Sequence, residues 1–121
     1  MSEPPLLLVV DDDPSVLLLV DVLAEKMGFR VKAVSSGLQA LEQLRDGLQP
    51  RVILLDIMME RIDGLTFMNH LREMPGLEST PVVAMSTAAV LDRYGAQLRV
   101  SGTLLKPLTQ ATLVQALERF R

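Results

Sequence analysis

Five times along this chain a short aliphatic run stops at a polar residue or a proline and gives way to a segment of helical period. Leu6–Val10 stops at Asp11-Asp12-Asp13, Val52–Leu55 at Asp56, Val82–Met85 at Ser86 and Thr103–Leu105 at Lys106-Pro107. Val31–Val34 is a further short, β-branched run. Runs of this length, apolar throughout rather than alternating, predict strands buried on both faces. The segments between them repeat at 3.6 residues. Pro14–Met27 places Val16, Leu19, Val20 and Leu23 on one stripe, with Asp13 as N-cap, Pro14 in the first turn and Gly28 as a stop. Ser36–Leu48 offers Ala40, Leu41 and Leu44, with Gly47 near its end. Asp63–Met74 offers Leu65, Met68 and Leu71, and Thr109–Phe120 offers Leu113, Val114 and Leu117. The weakest helical pattern is residues 88–99, which Gly95 interrupts. Strand and helix in strict alternation predict an α/β fold: a parallel sheet with helices on both faces, a three-layer sandwich.

Composition limits what such a sandwich can be. At 121 residues, 49% hydrophobic, the chain has the size of one domain, read as residues 1–121 with its core about 6–120. A mean hydropathy of +0.30 raises the question of a membrane. The longest apolar runs are far shorter than the roughly 18–20 residues a spanning helix needs, so no membrane insertion is expected. The N-terminus Met-Ser-Glu-Pro-Pro carries no secretory pattern, and the absence of cysteine suits a reducing cytoplasm. A net charge of −3 and only four aromatic residues argue against nucleic-acid binding by this domain.

The strand ends carry the chemistry. In a parallel sheet, sites form beyond the carboxyl ends of the strands. Here those ends are Asp11-Asp12, Asp56, Ser86-Thr87 and Lys106, so the fold gathers three carboxylates, hydroxyls and an ammonium at one edge. Crowded carboxylates repel one another unless a cation offsets them. Oxygen donors without His or Cys suit a hard octahedral ion, which in cytoplasm means Mg²⁺. A metal and a lysine around an aspartate can hold a phosphoryl group, and the aspartate can itself be the nucleophile. A hydroxyl at Ser86 would then reach a phosphoryl oxygen.

Taken in order, Leu-Val-Val-Asp-Asp at 8–12, Leu-Leu-Asp-Ile-Met-Met at 54–59, Asp-Gly at 63–64, Pro-Val-Val-Ala-Met-Ser at 81–86 and Lys-Pro at 106–107 resemble the receiver domain of two-component response regulators. The resemblance runs from about Leu6 to Phe120. It implies a flavodoxin-like fold with five strands in the order 2-1-3-4-5 and five helices. It also implies that Asp56 is the phospho-acceptor. Asp12 and Asp56 would bind Mg²⁺ directly, with the Met58 carbonyl, and Asp11 largely through water. Lys106 would contact the phosphoryl group and Ser86 would be the switch hydroxyl, with Thr87 as second choice. The donor would be a histidine kinase or a histidine phosphotransfer protein, acting on a signalling switch rather than a metabolic enzyme. The downstream protein target is unspecified, and a homodimer is left open.

Four features depart from the family pattern. Glu60 stands where a proline is common, Thr87 at a small-residue position, Thr103 where an aromatic residue is typical, and Arg99-Val100 in place of Gly-Ala. The 88–99 segment is also about two residues short. These departures keep a phosphorylation-independent adaptor or dimerisation module as the alternative. A further alternative is an aspartyl phosphatase of the haloacid-dehalogenase type using Asp11, since Asp11-Asp12-Asp13-Pro14-Ser15 loosely fits its motif; Asp56 would then be unexplained. Among the remaining residues, Asp13 reads as a cap, His70 as partly exposed structure, and Met58-Met59 as packing.

Overall fold

A computed structural model describes residues 3–59 and 62–121, so Glu60 lies outside the described residues. The elements alternate as β1 (Leu6–Val10), α1 (Pro14–Lys26), β2 (Arg30–Val34), α2 (Gly37–Arg45), β3 (Val52–Asp56), α3 (Gly64–Arg72), β4 (Val82–Ser86), α4 (Ala88–Leu98), β5 (Gly102–Leu105) and α5 (Gln110–Leu117), followed by a 3-10 turn Glu118–Phe120. All strand pairs are parallel and the sheet order is β2-β1-β3-β4-β5. This is the flavodoxin-like arrangement expected above.

The aliphatic runs explain the layers. Strand side chains point alternately to the two faces. Leu8, Val10, Ile53, Leu55, Val82 and Ala84 therefore enter one core with α2, α3 and α4. Leu7, Val9, Val52, Leu54, Val83 and Met85 enter the other with α1 and α5. Every residue of β1, β3 and β4 is buried. Each such leucine contributes about 1.5–3 kcal/mol by leaving water, which is why these strands tolerate no polar residue before their last position.

Helix ends follow the capping signals. Asp13 accepts from the Ser15 amide, Ser36 from Gln39, Asp63 from Thr66, and Thr109 exchanges bonds with Thr112 in a capping box. The N-cap of α4, Thr87, makes no side-chain cap bond.

Two buried stripes differ from the sequence reading. In α1 the buried residues are Val20, Leu23 and Ala24, and Leu19 is exposed. In α3, Phe67 is fully buried while Leu65 is exposed. The reason for the second is steric: a Cβ on Gly64 would lie 2.8 Å from Ile57 Cβ, so the helix turns its glycine toward Ile57, the residue after β3. That rotation carries Leu65 outward. No helix among the described residues is long and apolar enough to cross a membrane.

Candidate functional site

The site is assembled where β1, β3, β4 and β5 end. Asp11 continues the β1 ladder by donating its amide to the Val34 carbonyl at 3.2 Å, and its side chain is wholly buried. Asp11 Oδ1 accepts the Asp13 amide at 2.9 Å. Asp11 Oδ2 accepts Lys106 Nζ at 2.8 Å. Asp12, one residue on, is exposed. Asp56 closes β3, nearly buried, with Oδ1 accepting the Met58 amide at 3.1 Å. Its Oδ2 lies 3.4 Å from Lys106 Nζ. Carboxylate oxygens of Asp11, Asp12 and Asp56 come within 4.8 Å of one another.

Lys106 is positioned from its own backbone as well as its side chain. Its amide donates to the Ser86 carbonyl at 2.9 Å, which extends the β4–β5 ladder by one rung. The Lys106–Pro107 peptide is cis. Ser86 is the last residue of β4 and is buried, whereas Thr87 is exposed at the start of α4.

The electrostatics follow from this crowding. Burial pushes the Asp56 carboxyl above the usual carboxylate range; the Asp11 charge adds to it, and the Met58 amide and Lys106 oppose it. Burial alone would lower Lys106, but its hydrogen bond to Asp11 and the charges of Asp56 and Asp11 outweigh that and raise it. Asp13 is held below the usual range by the Ser15 hydroxyl and amide, as a cap would be. One ammonium against three carboxylates leaves an unbalanced anionic pole. Oxygen-only donors at this spacing fit a hard divalent cation.

The parallel sheet in this order carries an acid pair after β1, an aspartate closing β3 and a lysine after β5, and residues 7–118 match the response regulator receiver domain. The chain belongs to that family. The response regulator Rre1 of Synechocystis is 36% identical over 110 residues, covering 88% of this chain and 47% of Rre1. The histidine-protein kinase BarA of Escherichia coli is 32% identical over 114 residues, 93% of this chain and 12% of BarA. The chain thus spans about half, or much less, of these relatives. The crystal structure of the chemotaxis response regulator CheY4 of Vibrio cholerae superposes with a TM-score of 0.88 at 25% identity, covering 98% of this receiver and 99% of CheY4.

The receiver brings Asp11, Asp12, Asp56 and Lys106 together, with Ser86 closing the adjacent strand. The phosphatase alternative is not favoured: residues 7–118 match the receiver family, and that alternative leaves Asp56, nearly buried beside Lys106, without a role. The packing reading survives for buried Met59 but not for Met58, a residue 57% exposed. His70 is exposed in the last turn of α3. Sequence reasoning missed the amides of Asp13 and Met58, each donating to an aspartate two residues earlier. An aspartate at a strand end is itself the signal for such a turn, because its side chain caps its own chain two residues on.

Proposed function

We propose that this chain, residues 1–121 acting as a single receiver domain, accepts a phosphoryl group on Asp56. The donor is the phosphohistidine of a histidine kinase or of a histidine phosphotransfer protein. The observation that carries this reading is the nearly buried Asp56 carboxylate, flanked by Lys106 at 3.4 Å and by the carboxylates of Asp11 and Asp12.

An Asp56 oxygen attacks phosphorus while the phosphorus–nitrogen bond of the donor breaks and its electron pair returns to the imidazole. The product is an acyl phosphate on Asp56. The Met58 amide on Oδ1 orients the carboxylate so that Oδ2 is the oxygen facing Lys106. Lys106 offsets charge on the phosphoryl oxygens, and its anchor on Asp11 keeps it at the site. Asp12, Asp56 and the Met58 carbonyl would hold Mg²⁺ directly and Asp11 largely through water, and the ion would supply further positive charge to the phosphoryl oxygens. Ser86, buried at the end of β4, is the hydroxyl that meets a phosphoryl oxygen, with Thr87 beside it. Bound phosphate then biases a two-state equilibrium and changes protein contacts. The domain acts as a cytoplasmic switch and not as a turnover enzyme, and a homodimer is one form its output can take.

Incubation with acetyl phosphate and Mg²⁺ tests this by intact mass. One added phosphoryl group is expected on the natural chain and none on Asp56→Asn. Equal labelling of Asp56→Asn would overturn the assignment.

A further inference from the structure

Sulfur is present in this chain only as thioether. The sequence holds seven methionines and no cysteine, so no thiolate stands by to take an oxidant first. Which thioether reacts is then decided by access. Met27, Met59, Met68, Met74 and Met85 are all buried, each in one of the two cores. Met58 alone among the described methionines is exposed, at 57%. Main-chain atoms supply only a minor part of a methionine's surface, so exposure of that extent reaches the side chain. Met1 lies outside the described residues. The exposed methionine is also the one tied to the candidate acceptor. The Met58 amide donates to Asp56 Oδ1 at 3.1 Å, and Oδ2 of the same carboxylate lies 3.4 Å from Lys106 Nζ. A chemical change at Met58 thus falls on the residue whose amide orients Asp56.

We propose that Met58 is an oxidation site: a peroxide converts its thioether to the sulfoxide before any other described methionine, and the product slows phosphoryl acceptance at Asp56. The second half rests on Asp56 being the acceptor. A sulfur lone pair attacks one peroxide oxygen, and the oxygen–oxygen bond breaks. Sulfur keeps that oxygen and is oxidised by two electrons. The other oxygen leaves as water with both peroxide protons. The sulfoxide is polar, and its oxygen carries partial negative charge. The neighbouring pole already sets three carboxylates against a single ammonium. An anionic phosphoryl donor therefore meets more negative charge after oxidation than before. A methionine sulfoxide reductase, drawing two electrons from a dithiol, returns the thioether and releases the oxygen as water.

Graded hydrogen peroxide on the full chain, followed by peptide mass mapping, is the first test. Met58 should take up one oxygen about tenfold faster than Met27, Met59, Met68, Met74 or Met85, which react only when the fold opens. In concentrated urea all of them should react at similar rates, because the preference belongs to the fold. A buried methionine oxidised as fast as Met58, or a preference that persists in urea, would overturn the site. The second test is the rate of acetyl-phosphate labelling with Mg²⁺, before and after one oxygen has entered at Met58. A slowing of about threefold or more is expected. Peroxide should produce no such slowing in Met58→Leu, each sample being compared with the same variant untreated. Equal slowing in Met58→Leu, or none in the natural chain, would refute the coupling. A natural chain that takes no phosphoryl group before oxidation counts against Asp56 as acceptor, whereas the oxidation map is read by mass without phosphorylation.

Discussion

Gly64 and Arg99 show how single residues answer to backbone geometry in opposite senses. At Gly64 a Cβ would sit 2.8 Å from Ile57 Cβ and 3.2 Å from its Cα, and the Gly64 amide donates to the Ile57 carbonyl at 3.2 Å. The backbone of α3 cannot retreat without losing that bond. Gly64→Ala should therefore destabilise the domain by about 1–3 kcal/mol, read as a lower urea midpoint at unchanged slope. Arg99 ends α4 with φ 52° and ψ 50°, a left-handed conformation in which a side chain is strained. A glycine removes that strain, although it also loosens the unfolded chain. The net expectation for Arg99→Gly is a gain of about 0.5–1 kcal/mol. A lower urea midpoint for Arg99→Gly would contradict the strain argument. The sequence marks Arg99 as a departure from Gly-Ala, but only the dihedral angles say what that departure costs.

At the scale of elements, α4 stands apart from the other four helices. It buries only Leu98, its N-cap Thr87 makes no side-chain bond, Gly95 lies inside it, and its end is the strained Arg99. By contrast α3 buries Gly64, Phe67, Met68 and Leu71 and is capped by Asp63. Local opening is easiest where few apolar contacts must break. Amide hydrogen exchange should accordingly be faster throughout α4 than in α3. Equal protection in the two helices would mean that contacts outside the chain's own core hold α4. Only Thr87 separates the helix from Ser86, so the element expected to open most easily is attached to the strand end at the candidate phosphoryl site. The weakness of α4 was legible as a poor helical pattern at 88–99. The rotation of α3 was not, because a hydrophobic stripe counts Leu65 and Phe67 alike until the approach of Gly64 to Ile57 is known.

Across the whole molecule two cores share one sheet. Leu71 of α3 belongs to one and Leu117 of α5 to the other, and both are fully buried. The same three central strands supply both cores through alternate residues, so neither can melt and leave the other intact. Leu71→Ala and Leu117→Ala should each cost about 2–5 kcal/mol, a large part of the roughly 5–15 kcal/mol expected for such a domain. Each variant should still unfold in one cooperative step, with Tyr94 fluorescence and far-ultraviolet circular dichroism changing together. Separate transitions for the two probes would show that the layers are independent.

The same scale separates what is local from what is not. Short strands buried on both faces require aliphatic runs, and helices between them require a 3.6-residue period; both are properties of neighbouring residues. Hence the layers, the element boundaries to within a few residues, and the polar strand ends at Asp11, Asp12, Asp56, Ser86 and Lys106 were determined by the sequence alone. Distance through space is not local. Asp11 and Lys106 are 95 positions apart in the chain, yet they meet at 2.8 Å. Only the parallel register, with β5 joined to β4 and β1 beside β3, decided that contact and the burial that raises Asp56.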